Sequence, residues 1–364
     1  MPPSLPAASE RRPRLTPAVA DVRRAVRDSL AELTAGHSGS AESRPLVLVA
    51  LSGGPDSMAL AAATAFEAPR LGLRAGAVIV DHGLQAESAA VAQAAAQAAR
   101  DLGLEPVRIE RVDVIGAGGP EAAARDARYA AFERCVREWG AIAVLLGHSL
   151  DDQAETVLLG LARGSGTLSI AGMAAVADDL YRRPLLGVRR HTLQQACDDQ
   201  YLEPWHDPHN DDTRFARVRV RRTILPLLED QLDEGIIEAL ARTAAIARED
   251  AEALDHLVDE VAEDLTELAE GGCSLSVAGL AANPAAIRHR LIRLIARGQF
   301  GVSISRAQTL EVARLVTDWH GQGPVHLPGV RVERTGARIV FSLALENEHL
   351  PDYREPDDHE PDRP

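Results

Sequence analysis

The sequence predicts an α/β protein: a doubly wound, mostly parallel sheet followed by a C-terminal, mainly helical domain. Three observations carry this. Short apolar runs alternate with helix-period segments four times between residues 46 and 162. A glycine pair follows the first of those runs directly. Beyond residue 230 the period changes to a long 3.6-residue repeat.

Taken in order, residues 1–16 are rich in Pro and Arg and read as disordered. Residues 17–35 form an amphipathic helix pattern. LVLVAL (46–51) is the pattern of a buried parallel strand, and a helix follows from Ser57 to about Ala68. AGAVIV (75–80), PVRIERV (106–112) and IAVLLG (142–147) are the next strands. Residues 87–102, 120–139 and 151–162 are the helices between and after them. Right-handed crossovers are expected. From Arg163 the pattern is irregular, then helical over 191–200 and 217–230. This places the first domain at 17–230.

Residues 234–269 read as one long helix whose apolar positions, from Ile237 to Leu265, fall on a stripe opposite the acids. Gly271 and Gly272 end it. Shorter helices over 284–298 and 305–318 complete a helical domain at 231–320, with a short β segment at 321–345 (VHLPGVRVER and ARIVFSL). Residues 346–364 read as a disordered acidic tail.

Charge and composition narrow the function. The net charge is −15, but residues 346–364 carry −6 and 233–270 carry −11, leaving +2 for the rest. Arg214, Arg217, Arg219, Arg221 and Arg222 crowd into nine residues, and Arg182, Arg183, Arg189 and Arg190 form a second cluster. Either a solvated face or contact with a polyanion accounts for such clusters. All 39 basic residues are arginine. Without lysine there is no Walker P-loop and no Schiff-base chemistry; a GC-rich genome is the plain cause. Cys135, Cys197 and Cys273 form no C-x-x-C pair, so no zinc ribbon or iron–sulfur site is indicated. No signal peptide or membrane span is read, so a cytoplasmic protein is expected.

The chemistry centres on Ser52-Gly53-Gly54-Pro55-Asp56-Ser57, between a strand and a helix start. The glycines allow a tight turn, the amides at the helix start attract an anion, and the serines add hydroxyl groups. This loop suits phosphate. Asp56 would repel phosphate unless a cation bridges them, which points to magnesium. Asp152 and Glu155, three residues apart at the next helix start, share a face and can hold a divalent cation or an ammonium group. They also fit as first-turn acids serving the helix dipole, as Asp151 does. His148 sits at a strand end, within reach of nucleotide phosphates; His82 is similar. Arg125 and Arg128 could brace phosphate or substrate, with Arg125 favoured; an intrahelical Glu121–Arg125 pair is the alternative. His206 and His209 lack a metal-ligand spacing.

The S-G-G-x-D-S loop resembles that of the N-type ATP pyrophosphatases, the PP-loop superfamily, which bind ATP for adenylation. Further segments select among them: Asp81-His82-Gly83-Leu84, EAAARDARY (121–129), GHSLDDQAET (147–156), Arg163-Gly164-Ser165-Gly166, Arg183-Pro184-Leu185-Leu186, and Trp205-His206-Asp207-Pro208 with Asn210, Arg217, Arg221 and Pro226. In this order, over residues 46–230, they resemble the tRNA(Ile)-lysidine synthetases. RNA thiolases would need cysteine pairs near the site.

The resemblance implies an adenine nucleotide alpha hydrolase-like fold and an ATP- and Mg2+-dependent ligase. It would join free L-lysine to carbon 2 of the wobble cytidine of CAU-anticodon tRNA(Ile), through an adenylated cytidine. Ser52, Gly53, Gly54, Pro55, Asp56, Ser57 and His148 would bind ATP, with magnesium on Asp56. Asp56, Arg125, Asp152 and Glu155 would be catalytic, the last two binding the lysine ammonium groups. Arg214, Arg217, Arg219, Arg221 and Arg222 would meet the tRNA backbone. Asp152→Asn and Glu155→Gln are then expected to abolish lysine incorporation. A PP-loop RNA-modifying enzyme with another nucleophile, and a non-catalytic ATP-binding module, are the alternatives. A homodimer is admitted.

Overall fold

The computed structural model describes residues 15–34, 44–83, 87–113, 120–164, 166–269 and 271–344. The expectations of disorder at the two ends therefore lie almost wholly outside the described residues, as do the side chains of Glu121 and His209. The chain divides into two compact units, residues 1–248 and 249–364.

In the first unit, α1 (Pro17–Thr34) precedes β1 (Leu46–Ala50), α2 (Pro55–Glu67), β2 (Arg74–Asp81), α3 (Ser88–Asp101), β3 (Val107–Arg111), α4 (Pro120–Trp139), β4 (Ala141–Leu146) and α5 (Leu150–Ala162). The four strands lie parallel in the order β3-β2-β1-β4. Leu48 sits in register between Gly76 and Val144.

Strand alternation sorts the side chains. Val47 and Val49 join a core with α1, α2 and α3, while Leu46 and Leu48 join Phe132 and Cys135 of α4 on the other face. Covered on both faces, β1 needs apolar residues throughout, which is why it reads as an unbroken run rather than as an alternation.

After α5 come α6 (Thr167–Ile170), β5 (Val176–Ala177), β6 (Tyr181–Arg182) and α7 (Arg190–Asp199). β6 extends the sheet beside β4 and pairs with β5 as a hairpin, which the sequence reading lacks. Two-residue strands carry no period to detect. Their three-residue connection, Asp178 to Leu180, holds Asp178 and Asp179 at positive φ (52° and 51°), and the Leu180 amide closes the turn on the Ala177 carbonyl (3.2 Å). The pattern over 217–230 resolves into α8 (Ala216–Arg219), a π-helical turn (Val220–Ile224) and α9 (Leu225–Gln231). Val220, Leu225 and Ile237 pack on Leu150 and Ala154 of α5. α10 (Ile236–Leu265) follows, and the unit boundary falls within it.

The second unit holds β7 (Thr266–Ala269), β8 (Gly272–Ser276), α11 (Val277–Ala282), α12 (Ala285–Phe300), α13 (Arg306–Thr317), β9 (Val325–Leu327), β10 (Val330–Thr335) and β11 (Arg338–Leu343). Its five strands form an antiparallel sheet, β7-β8-β11-β10-β9. The helical reading of 234–269 is therefore too long at its end. Helix period would put Leu265 and Leu268 on one stripe. Instead, residues 266–269 pair with β8 across the Gly271 turn, and Leu268 stands 90% exposed on the edge strand. Pairing with a neighbour overrides local propensity here. The closing β segment shares this sheet with β7 and β8. No described helix is long and apolar enough to cross a membrane.

Candidate active site

β1 leads back to β2 on one side, while β4 lies on its other side, so the chain reverses direction of winding between β1 and β4. Open α/β sheets bind ligands outside the carboxyl ends of strands at such a switch point. The two loops that emerge there are 51–54 and 147–149.

The first loop is braced from within. Ser57 donates its hydroxyl to the Gly54 carbonyl (2.9 Å) and accepts from the Ser52 amide (3.2 Å); the two serine oxygens lie 3.1 Å apart. Gly53 has φ +85°, open to glycine at no cost, and its carbonyl accepts from the Trp205 amide (2.9 Å). α2 starts with Pro55 at its first turn, leaving the amides of that turn without helical partners, as anion binding requires. The second loop comes very close: a Cβ on Gly147 would stand 3.2 Å from the Asp56 carbonyl carbon and oxygen and from Ser57 Cα. Only glycine permits this approach of β4 to the phosphate loop without displacement.

Three carboxylates meet at this crevice, and arginine reaches all of them. On α5, Ser149 caps the helix in a capping box with Asp152. Asp152 Oδ2 accepts from the Ser149 amide and hydroxyl, both at 2.8 Å. Its Oδ1 accepts from Arg190 Nη2 (2.8 Å) and Arg221 Nη2 (3.3 Å). Burial opposes ionisation of Asp152, yet Arg190 and Ser149 hold its carboxyl below the usual range. Glu155 is fully buried and accepts from Arg190, Arg217 and Arg221. Arg190 Nε also lies 3.5 Å from Asp56 Oδ2. Asp151 is structural: it accepts from the Arg190 amide (2.7 Å) at the start of α7 and pairs with Arg189.

Asp56 differs from its neighbours. Its Oδ1 is buried and finds no hydrogen-bond partner among the described residues. Burial pushes its carboxyl up to about 6, against the pull of Arg190 and with the push of Asp152. His148 is held down to about 4 by burial and by Arg183, Arg217 and Arg128, against the pull of Asp152, so it is neutral at pH 7. Burial and Arg128 likewise lower His82. The Nδ1 atoms of both histidines are buried without partners among the described residues.

The structure thus gathers Asp56, His148, Asp152 and Glu155 with the phosphate loop. It divides the arginines. Arg217 and Arg221 turn inward to Glu155. Arg214 is 86% exposed and pairs with Asp212; Arg219 donates to the Thr213 and Arg214 carbonyls; Arg222 pairs with Asp211. Arg125 is exposed and lies over the Tyr129 ring, 4.8 Å from its centroid. Arg128, one turn on, is the α4 arginine whose charge is felt at His82 and His148. Sequence reasoning also missed Arg190. Its place beside Arg189 in a cluster was visible, but nothing in the local pattern says that one goes to Glu229 and Glu238 and the other to the phosphate loop.

Comparison with known proteins agrees with this geometry. Residues 23–228 match a family model described as PP-loop domain, and residues 275–339 match one described as TilS substrate binding domain. The tRNA(Ile)-lysidine synthase of Leifsonia xyli subsp. xyli is 57% identical over 84% of this chain and 94% of its own length. That of Streptomyces coelicolor is 54% identical (82% and 85%), and that of Thermobifida fusca 53% identical (90% and 98%). A U34-tRNA thiolase from Methanococcus maripaludis, solved with its [4Fe-4S] cluster, shares the fold: TM-score 0.50 at 18% identity, over 62% of this chain and 78% of that one. A phosphate loop at the switch point, a facing wall of carboxylates and arginines, and relatives aligned along both units lead to one assignment: the chain belongs to the tRNA(Ile)-lysidine synthase family.

Proposed function

We propose that this chain ligates free lysine to carbon 2 of the wobble cytidine of a CAU-anticodon tRNA(Ile), using ATP at the crevice between β1 and β4. The observation that carries the reading is the alignment of tRNA(Ile)-lysidine synthases along 82–90% of the chain, with the phosphate loop intact at the switch point.

In the first step the cytidine O2 attacks the α-phosphorus of ATP, the bond to the β-phosphate oxygen breaks, and pyrophosphate leaves. In the second, the lysine ε-amine bonds to carbon 2, loses a proton, and the carbon–oxygen bond breaks to release AMP. The amides of Gly53, Gly54, Asp56 and Ser57 and the Ser52 hydroxyl cradle the phosphates, while Pro55 has no amide to offer and Ser57 keeps the loop in shape. Neutral His148 can donate or accept one hydrogen bond at the nucleotide without adding charge.

Asp56 fits a magnesium ion. Its unpartnered, buried Oδ1 stands beside the phosphate loop, and magnesium is commonly held by one or two carboxylates plus substrate phosphates. No group of three or more His, Cys, Asp or Glu side chains among the described residues could hold an ion without substrate. The ion would neutralise charge on the departing pyrophosphate. Asp152 and Glu155 are occupied by arginine, so an ammonium group reaches either only by displacing a guanidinium. Exposed Arg214, Arg219 and Arg222 are the proposed contacts to the tRNA backbone.

The test is AMP and pyrophosphate formation by the full chain with a CAU-anticodon tRNA transcript and each amino acid in turn. AMP release is expected with lysine alone. ATP cleavage indifferent to lysine and to the CAU anticodon would overturn the assignment, and no cleavage at all would favour an ATP-binding module.

A further inference from the structure

Glu155 has no exposed surface, and each of its oxygens meets two arginine N–H groups. Oε1 accepts from Arg190 Nη1 (3.1 Å) and Arg221 Nε (2.7 Å). Oε2 accepts from Arg217 Nε (3.1 Å) and Arg221 Nη2 (3.1 Å). An ionised carboxylate offers about four lone-pair directions. All are filled, so Glu155 keeps no capacity for an ammonium ion or a metal.

The donors arrive from two stretches of chain: Arg190 opens α7, while Arg217 on α8 and Arg221 on the π-helical turn that continues it stand four residues apart. Three guanidinium groups repel one another and would spread apart in water. A buried carboxylate at their centre reverses that preference, and Asp152 Oδ1 adds a second hold on Arg190 and Arg221. The three arginines are not themselves buried away. Their side chains are 21%, 39% and 25% exposed, in the order 190, 217, 221. Arg190 reaches the phosphate loop at Asp56. Each guanidinium has five N–H groups, so donors remain beyond those the carboxylates take.

We propose that Glu155 is a positioning residue rather than a substrate ligand: it gathers Arg190, Arg217 and Arg221 into one cationic cluster that meets the polyphosphate of ATP during adenylation. The inference rests on the reading above, in which adenylation precedes attack by the amine. It differs from assigning Glu155 to lysine in one measurable respect. A lysine ligand matters only in the second step, whereas the organiser of a phosphate-facing cluster matters in the first.

The experiment is pyrophosphate release in a single turnover of the full chain with ATP and CAU-anticodon tRNA, lysine omitted. Glu155→Gln puts an amide N–H where two guanidiniums need an acceptor. It is expected to slow this lysine-independent step by about a hundredfold or more, the usual cost of disordering a charge-stabilising donor. Glu155→Asp should recover part of the rate. Lysine KM in the complete reaction should stay within about threefold of the parent, since the loss falls on the chemical step.

Breaking a buried ion cluster costs about 3–5 kcal/mol, so Glu155→Gln itself could unfold the unit. Arg190→Lys and Arg221→Lys keep the charge and Glu155 but lose the planar fork, and each is expected to slow the same step about tenfold or more. Normal lysine-independent release in a folded Glu155→Gln variant, with a raised lysine KM, overturns the proposal and makes Glu155 a lysine ligand. Normal release in both arginine variants overturns it too. A parent enzyme that releases no pyrophosphate without lysine overturns the adenylation-first reading and the inference with it.

Discussion

Asp56→Asn should make the ligand-free protein more stable at neutral pH while removing its activity. The magnitude follows from the site. Burial raises the Asp56 carboxyl from 3.8 to about 6 despite the nearby Arg190, and the side chain is 21% exposed. Each unit of such a shift corresponds to about 1.4 kcal/mol, so holding this carboxylate ionised costs the fold about 3 kcal/mol. Between pH 4 and 6 the native state retains a proton that the unfolded chain has released. Stability therefore falls as pH rises through that window and levels off above it. Asparagine has no proton to lose and is spared the decline.

The assay is thermal unfolding of parent and variant without ATP or divalent cation, at pH 4 and pH 7.5. At pH 7.5 the variant should melt about 6–12 °C higher, taking roughly 2–4 °C per kcal/mol for a unit of this size. At pH 4 the two should nearly coincide. A variant that melts lower at pH 7.5, or one with an equal gain at both values, would refute the reasoning. The first result would mean that the pairing with Arg190 outweighs desolvation; the second, that the gain is not electrostatic. The expected outcome is a trade of stability for function at a residue kept charged for its ligands.

Two further substitutions probe the walls of the crevice. Gly147→Ala adds a Cβ 3.2 Å from backbone atoms of Asp56 and Ser57; overpacking of this kind costs about 1–3 kcal/mol, and ATP affinity measured by calorimetry should fall about tenfold, or 1.4 kcal/mol. Unchanged affinity would show that the phosphate loop tolerates displacement. Ser149→Ala removes both the cap of α5 and a hydroxyl bond to Asp152, together about 2–4 kcal/mol; a urea midpoint within error of the parent would mean that the Asp152–arginine contacts alone hold the helix start.

The central sheet was legible because its strands are buried on both faces and its helices pack in sequence order. Periodicity placed β1 to β4 and α2 to α5 within a few residues. What escaped notice was short or paired at a distance. The β5–β6 hairpin has two residues per strand, and β7 is a strand only because β8 lies beside it. The site divides along the same line. The phosphate loop and the α5 acids are contiguous motifs, so spacing revealed them. Arg190, Arg217 and Arg221 look alike in sequence to Arg189, Arg214 and Arg222, and only the fold separates those that converge on Glu155 from Arg189, which turns to Asp151, Glu229 and Glu238, and from exposed Arg214 and Arg222.

Composition bears on this convergence. A chain without lysine cannot answer the phosphates of ATP with an ammonium group, so backbone amides and arginine must do it. Arginine also does something here that lysine would not. Arg221 bridges both oxygens of Glu155 through Nε and Nη2, and its Nη2 reaches Asp152 as well. A lysine would present a compact point charge with no planar fork to span two oxygens. Three lysines around one buried carboxylate would compete for it, whereas three arginines share it with their outer edges still turned to solvent. The spacing of Asp152 and Glu155 places two carboxylates on one helix face, and in the structure arginine meets both. Whether such a pair binds a cationic substrate or holds cationic side chains depends on residues 35 to 69 positions further along the chain.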